Sequence, residues 1–476
     1  MEELKQLGSN PGHGWVAAVL PAGAQRIRVD ELELASTLSS ADLELVEEHP
    51  DVEIASPERL RGDAGCALVS VGLRSHGGRS RFVRVRRRIL GSLEVRRKAQ
   101  RARREMLRRG YTRAEVISWE LEHPMSLPNT GSRRRALRPA ELLPLSAVVV
   151  GSSSPRAPTV LEAAVAAARP AASGSLRADR PLVRATGLIV IGEREVMRIS
   201  VGPARRQLHH QRSMLEVLRD AKPSDSVADR APWPVADGAA GVADWSLERR
   251  LPGTEPSPPL GKALVGECCD FLVALHQAGD RGKPGGSLLR AADVIASAYD
   301  REHARALRCV AHRLEAALAD LPRGFGHGDF WSGNLLSDRG RLVGVVDWAA
   351  AGTDRLPLVD LIHLRVSEQR WATNEPMGRP LVEEMLPWAE GGGDEQARSY
   401  CRRLGFEPEP KRLEALVIAY WFDRVAHELE TYSDRCEEQW LRSNVEPVLR
   451  TLENDDWRRR LEMIPVSTPR SSGTGR

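Results

Sequence analysis

Long apolar runs are missing from this sequence of 476 residues. No stretch approaches the ~18 consecutive apolar residues that a membrane-spanning helix requires. The chain starts Met1-Glu2-Glu3-Leu4-Lys5, which lacks the basic start and the apolar core of a secretory signal. These absences predict a cytoplasmic protein that has no transmembrane segment.

Cysteine is also scarce. The chain has six cysteines, and none of them shows the spacing of a metal or redox site. Cys268 and Cys269 are adjacent, but they fall in a helical pattern in which neighbouring side chains point apart. We therefore expect reduced thiols, as is typical of cytosolic proteins.

Lysine is rare, and arginine takes its place almost everywhere. The strongest charge asymmetry is an Arg-rich tract from Arg79 to Arg113, which could bind nucleic acid, anionic lipid or a polyanionic glycan. The interpretation that we favour is a solvated basic face. The net charge of +4 is too small to indicate a nucleic-acid-binding protein, so nucleic acid is not an expected partner.

A predicted β-hairpin holds the residues that point to a function. Leu335-Leu336 and Leu342–Val346 are short apolar runs, and Ser337–Gly340 between them has the composition of a turn. Because hairpin strands are antiparallel, the residue before the first strand and the residue after the second lie at the same end. Those residues are Asn334 and Asp347.

These side chains suit phosphate chemistry. An amide oxygen and a carboxylate at an open strand end can bind Mg²⁺, which keeps several waters and bridges to phosphates. Asp329 lies five residues before Asn334, on the loop that leads into the hairpin. A carboxylate there can accept the proton of an attacking hydroxyl or orient that hydroxyl toward a γ-phosphate. We predict Asn334 and Asp347 as metal ligands and Asp329 as the catalytic residue.

The residues of these motifs and their spacing indicate a protein family. An Asp-x-x-x-x-Asn spacing followed by an Asp at a strand end is typical of protein-kinase-like enzymes. His327-Gly328-Asp329 with Asn334, followed by residues 345–348 (Val-Val-Asp-Trp), resembles the aminoglycoside phosphotransferase and choline kinase family of small-molecule kinases. The resemblance covers about residues 180–450.

The resemblance implies Mg²⁺ and ATP as cofactors, with GTP as an open alternative to ATP. It implies transfer of the γ-phosphate to a hydroxyl group of a small molecule, such as a sugar, an amino alcohol or an aminoglycoside-like acceptor. An alternative of another class is a catalytically weak or inactive kinase-like protein that binds nucleotide and acts as a regulator or scaffold.

That alternative is motivated by two residues. Leu188–Ile191 and Val196–Val201 predict a hairpin, and in the family its second strand carries a lysine whose glutamate partner lies on the next helix. Here Arg198 is at the lysine position and Gln211 at the glutamate position, with Glu216 as the acid if the register differs by one turn. Arginine keeps the charge but presents a planar fork, so the exchange is not conservative at a phosphate site.

Further residues receive roles from the resemblance. Trp245–Gly253 resembles the strand and hinge that bind adenine through their backbone, which makes Glu248 a cofactor-binding candidate; the alternative is an ordinary edge strand that Pro-Gly ends. Asp360 is at a position whose carboxylate braces the catalytic loop, as an acid inside an apolar run must accept hydrogen bonds. His327 is expected to support the same loop.

The acceptor pocket is harder to predict. Leu413–Leu429 has the pattern of an amphipathic helix. In the family such helices shape the acceptor pocket, so the acids Asp423, Glu428 and Glu430 are candidates for holding a cationic substrate. The alternative, which we favour, is a solvated helix face.

The predicted fold class is α+β. We expect a protein-kinase-like bilobal fold, with a small β-rich N-lobe and a large helical C-lobe, preceded by a separate α/β domain. The predicted segments are an N-terminal α/β domain (1–145), an Ala/Ser/Pro-rich linker (146–178), the N-lobe (179–252), the C-lobe (253–464) and a disordered tail (465–476). Within the first segment, strands are expected at Trp15–Leu20, Val52–Ile54 and Ala67–Val71, and a helix at Ser92–Arg109.

Overall fold

The structure is a computed structural model in which the chain divides into two compact units. It describes residues 15–20, 43–45, 66–71, 73–75, 100–101, 103–104, 107–108, 113–119, 146–152, 160–176, 182–184, 187–201, 205–240, 243–279, 287–298, 301–373, 375–431 and 438–453. Unit 1 comprises Met1–Arg212, Trp233–Arg250 and Thr431–Gln439, and unit 2 comprises Ser213–Pro232, Leu251–Glu430 and Trp440–Arg476. The predicted strand Val52–Ile54 and the predicted tail lie outside the described residues.

The first part of unit 1 contains a four-stranded sheet. Its strands are β1 (Trp15–Leu20), β3 (Cys66–Val71), β5 (Arg113–Trp119) and β6 (Ser146–Ser152). Strands β2 (Leu43–Leu45) and β4 (Leu73–Ser75) form a separate pair. The sheet has the order β1-β3-β6-β5, and each of its pairings is antiparallel. The strands predicted at Trp15–Leu20 and Ala67–Val71 are confirmed. The pairing differs from the parallel arrangement typical of α/β domains, because an apolar run does not encode the direction of its neighbour.

The helix predicted over Ser92–Arg109 falls mostly outside the described residues. The described positions 100–101, 103–104 and 107–108 are helical, and their side chains are exposed. At these positions the arginines lie on a solvated face, as expected for the favoured interpretation of the Arg-rich tract.

The second sheet of unit 1 has five strands. They are β7 (Leu182–Arg184), β8 (Gly187–Ile191), β9 (Glu195–Val201), β10 (Pro234–Ala240) and β11 (Ala243–Arg249). The order is β10-β11-β9-β8-β7, with antiparallel pairing throughout. The predicted β8–β9 hairpin is confirmed. The edge-strand interpretation of the Trp245 segment is wrong, because β11 lies between β10 and β9.

A helix covers this second sheet. Helix α1 (Val160–Ala168) buries Ala164, Val165 and Ala168 in one core cluster with Met197 and other apolar side chains of the sheet. The structure differs here from the linker predicted for residues 146–178. Alanine is the best helix former, and its small side chain lets a helix pack closely on a sheet, so an Ala-rich composition does not by itself indicate a linker.

The remaining helices belong mainly to unit 2. They are α2 (Arg205–Asp220, which begins in unit 1), α3 (Asp225–Ala228), α4 (Lys262–Ala278), α5 (Ser287–Ala296), α6 (Arg301–Ala317), α7 (Val359–Thr373), α8 (Gly378–Pro380), a π-helical turn (Leu381–Met385), α9 (Leu386–Glu390), α10 (Glu395–Arg403), α11 (Pro410–Thr431), α12 (Glu438–Asn444) and α13 (Glu446–Glu453). Helix α11 contains the predicted segment Leu413–Leu429 and buries Tyr420, Trp421 and Phe422. None of the described helices is both long and apolar enough to cross a membrane.

Two short ribbons complete unit 2. Strand β12 (Gly324–Gly326) pairs with β15 (Gly352–Arg355), and β13 (Leu335–Asp338) pairs with β14 (Arg341–Val345). The second ribbon confirms the hairpin predicted around Ser337–Gly340. The antiparallel sheets of unit 1 and the mostly helical unit 2 confirm the predicted α+β fold class.

A matched pair of substitutions tests the packing of α1. We expect Ala164→Asp to destabilise the protein by ~3–5 kcal/mol, because it places an uncompensated charge in the core. Ala166→Asp makes the same change at an exposed position of the same helix and should stay within about 0.5 kcal/mol of the parent chain. Urea unfolding measures both; equal effects would contradict the packed helix.

Candidate active site

The loop between β12 and β13 requires a glycine at one position. Gly328 has a φ of +78°, which favours glycine. A Cβ atom on Gly328 would lie 2.1 Å from the carbonyl oxygen of Ala350. No other residue fits between His327 and Asp329 without moving the backbone, which explains this glycine in the His-Gly-Asp motif.

A single carboxylate braces the same loop. Asp360, in the first turn of α7, is buried. Its Oδ2 accepts a hydrogen bond from the His327 backbone N–H at 2.7 Å, and its Oδ1 accepts one from the Gly328 N–H at 2.8 Å. Asp360 therefore accepts from two backbone donors of the loop and holds the backbone just before Asp329.

His327 connects the loop to the end of β14. Its ring is fully buried and packs edge-on against Trp348, with ring centroids 4.8 Å apart. Nδ1 accepts from the Asp329 N–H at 3.3 Å, so Nε2 carries the proton and donates to the Val346 carbonyl at 3.1 Å. The side chain thus supports the loop without contributing a reactive atom.

The β13–β14 hairpin brings Asn334 and Asp347 to one end. The Val346 N–H donates to the Asn334 carbonyl at 2.9 Å, and Asp347 follows directly. The Asn334 side-chain Nδ2 donates to the Asp329 backbone carbonyl at 2.8 Å and to Asp329 Oδ2 at 2.9 Å. Because its amide nitrogen is engaged in this way, the Asn334 amide oxygen is the atom that can face a metal ion.

The donor atoms fit magnesium. Asp347 has a φ of +63°, a left-handed conformation that Asp tolerates better than most residues and that recurs at functional sites. Within the described part of the chain, His, Cys, Asp and Glu form no group of three or more that could hold a metal ion. One amide oxygen and one carboxylate match a Mg²⁺ ion that takes its other ligands from phosphates and water.

Two residues that sequence reasoning missed contact Asp329. The Arg424 Nη1 donates to Asp329 Oδ1 at 2.8 Å, and the His363 Nε2 lies 3.2 Å from the same oxygen. His363 follows Asp360 by three residues on α7, so the helical period could have placed both on one face. Arg424 is a buried arginine of α11, and no sequence motif predicts its contact with Asp329.

His363 is neutral in this environment. Burial, followed by the nearby Arg424 guanidinium, lowers the pKa of His363, although Asp329 acts in the opposite direction. A carboxylate can only accept, so Nε2 is the protonated nitrogen and donates to Asp329. The His363 Nδ1 then accepts from the Tyr420 hydroxyl at 3.0 Å.

The acids predicted to hold a cationic acceptor each pair with an arginine. Within unit 2 the ion pairs are Asp423 with Arg355 (2.6 Å), Glu428 with Arg424 (2.6 Å) and Glu430 with Arg290 (2.7 Å). The solvated-face interpretation is wrong for Glu428, whose side chain is buried. The structure gives these acids arginine partners within the protein, which a sequence pattern could not reveal.

The altered cation pair of unit 1 has a carboxylate partner. The Arg198 Nε donates to Glu248 Oε2 at 3.1 Å, and the Gln211 side-chain nitrogen donates to Glu248 Oε1. Gln211 and Glu248 are both buried. Glu248 of β11 is thus an acid that pairs with Arg198, and Gln211 of α2 donates its amide hydrogen bond to the same acid.

The predicted site residues thus form two groups. Asp329, Asn334, Asp347, His327 and Asp360 come together in unit 2, and Arg198, Gln211 and Glu248 come together in unit 1.

Comparison with known proteins identifies the same segment that the motifs indicated. Residues 185–416 match the family model described as the phosphotransferase enzyme family. This match confirms the predicted resemblance. No curated protein matches the chain significantly.

Solved structures of aminoglycoside phosphotransferases also resemble the chain. APH(3'')-Id from Streptomyces rimosus, in complex with ADP and streptomycin, is 15% identical, and the match covers 54% of this chain and 96% of that one, with a TM-score of 0.36. ADP-bound APH(2'')-Ib is 14% identical over 59% of this chain and 90% of that one (TM-score 0.37). A thermostable mutant of APH(4)-Ia in its apo form is 17% identical over 56% and 91% (TM-score 0.36).

Exchanging Gln211 and Glu248, which are hydrogen-bonded to each other, tests the arrangement in unit 1. Gln211→Glu replaces a donor by an acceptor next to Glu248, and we expect a loss of about 1–3 kcal/mol in unfolding free energy. The double variant Gln211→Glu/Glu248→Gln restores one acid and one amide, so it should recover most of that loss. A double-mutant cycle by urea unfolding measures the coupling. A double variant no more stable than the single one would contradict the arrangement.

Proposed function

We propose that this chain, which carries a domain of the phosphotransferase enzyme family in residues 185–416, transfers the γ-phosphate of ATP to a hydroxyl group of a small molecule. One observation supports the proposal above the others. The Asp329 carboxylate is hydrogen-bonded to Asn334 on a loop that Asp360 braces, and Asp347 lies at the adjoining strand end.

Asp329 is the proposed catalytic residue. Its carboxylate would accept the proton of the acceptor hydroxyl, or orient that hydroxyl for attack on the γ-phosphorus, while the P–O bond to the leaving ADP breaks. Transfer of this kind depends on position and charge more than on covalent chemistry by the protein. A carboxylate held from several sides meets that requirement.

Asn334 and Asp347 are the proposed metal ligands, through the amide oxygen and the carboxylate. Magnesium at this position would neutralise charge on the phosphate oxygens of the nucleotide. Arg198 is the proposed phosphate-binding cation. Its ion pair with Glu248 supports an active enzyme, because the inactive alternative was motivated by the loss of the usual carboxylate on the helix. GTP stays an alternative to ATP.

The proposed acceptor is a small hydroxyl compound: a sugar, an amino alcohol or an aminoglycoside-like molecule. The structural relatives include complexes with streptomycin and hygromycin B. The arginine partners of Asp423, Glu428 and Glu430 do not favour a polycationic acceptor at those acids. Neutral sugars and amino alcohols therefore come first in a screen. The cytoplasmic location stays a prediction from the sequence.

The first test is nucleotide binding by calorimetry, which needs no acceptor. We expect Mg²⁺-dependent binding of ATP, and Asp347→Asn should weaken it at least about tenfold, or ~1.4 kcal/mol, because the metal loses a charged ligand. Asp338→Asn, at the exposed hairpin turn, is the matched control and should bind as the parent does. Arg198→Met tests the cation of unit 1 in the same assay. No binding by the intact chain would refute the proposal.

The second test separates chemistry from binding. Asp329→Asn should bind Mg·ATP as the parent does but lose ~10²–10⁴-fold in turnover, because the acceptor hydroxyl loses its base or its orientation. Phosphorus NMR with ATP and a panel of acceptors measures turnover. A variant that turns over at the parental rate would exclude Asp329 from catalysis.

A further inference from the structure

Both oxygens of the Asp329 carboxylate receive hydrogen bonds from fixed side chains. Oδ2 accepts from Asn334, and Oδ1 accepts from Arg424 and His363. We propose that Arg424 and His363 are positioning residues that fix the Asp329 carboxylate for phosphoryl transfer, an inference that rests on the proposed function. We call this pair of side chains the Asp329 clamp.

Arg424 is itself held in place. Its Nη1 donates to Asp329, and its Nη2 donates at 2.6 Å to Glu428, which lies one turn further along α11. Only 6% of the Arg424 side chain is exposed. A guanidinium that bridges two carboxylates cannot rotate without breaking one of the bonds, because its donors form a rigid planar fork. The long helix α11 thereby determines where Oδ1 lies.

His363 provides the other half of the clamp from α7. The Tyr420 hydroxyl donates to Nδ1, which leaves Nε2–H directed at Asp329. His363 is 3% exposed, so water does not compete for the imidazole. The same helix carries Asp360, so α7 holds the backbone of the loop through one side chain and the catalytic carboxylate through another.

The clamp predicts a specific kinetic effect. Neither Arg424 nor His363 is a proposed ligand of the metal or the nucleotide, so their loss should leave nucleotide binding unchanged. Their loss should lower turnover, because misplacement of a catalytic group by about an ångström can cost ~10²-fold in rate. Loss of a residue with a merely structural role would instead lower the stability of the protein, and nucleotide binding and turnover would fall together.

Substitutions at Arg424 test the clamp in the full chain. We expect Arg424→Met to lower kcat for ATP turnover, with water or with an acceptor from the screen, by ~10–100-fold, while the Kd for Mg·ATP changes less than about twofold. Arg424→Lys keeps the charge without the fork and should be intermediate. Arg290→Met is the control. It removes an exposed arginine of α5 that pairs with Glu430 of α11, and its kcat and Kd should match those of the parent.

Substitutions at His363 test the clamp independently. His363→Phe removes the donor and keeps a ring, so kcat should fall; His363→Gln places an amide N–H near the position of Nε2 and should recover much of it. If Arg424→Met does not fold, the Arg424→Met/Glu428→Gln variant also removes the charge of the acid that bonds to Arg424. Thermal unfolding identifies the folded variants.

The results of these experiments distinguish failure of the Asp329 clamp from failure of the proposed function. Parental kcat in folded Arg424→Met and His363→Phe variants would overturn the clamp and leave the proposed function intact. A fall in kcat that Arg424→Lys and His363→Gln partly reverse, at constant Kd, would support it. An intact chain that neither binds nor turns over Mg·ATP would overturn the proposed function, and the clamp with it.

Discussion

The candidate site depends on the hydrogen bonds between the Asp360 carboxylate and two backbone N–H groups of the loop before Asp329. This carboxylate and the positive φ of Gly328 determine where the loop turns, and the turn determines where Asp329 points. The bonds are charge-assisted, so each is stronger than an ordinary amide hydrogen bond. Asn334 and the β13–β14 hairpin then extend from a loop that is already fixed.

Carboxylates that accept hydrogen bonds from neighbouring side chains occur at several places in the molecule. Asp329 accepts hydrogen bonds from Asn334, His363 and Arg424. Glu248 accepts from Arg198 and Gln211, and Glu428 accepts from Arg424. A buried acid is costly unless its oxygens accept hydrogen bonds, and a planar arginine can satisfy two acids at once. This chain uses arginine where lysine is common. In the acid–arginine pairs, the rigid planar guanidinium orients the carboxylate that it contacts.

Several elements could be predicted because their signals are local. Both hairpins follow from two apolar runs around a turn, and α11 follows from its helical period. Two features were not predictable in this way: the packed helix that replaces the expected linker, and the antiparallel pairing of the first sheet. Helix α1 is identified as core only by the strands under it, and an apolar run such as that of β6 fits either direction of pairing.

The sequence by itself identified the proposed reactive groups. Asp329, Asn334 and Asp347 lie within 19 residues, and one loop with the hairpin that follows it brings them together, so their spacing predicts the proposed chemistry. Only the tertiary structure decided what surrounds them. Arg424 meets Asp329 across a separation of 95 residues, and Glu248 meets Gln211 across 37. Such contacts depend on which helices and strands pack together, and the periodicity of one segment shows its packed face but not its partner.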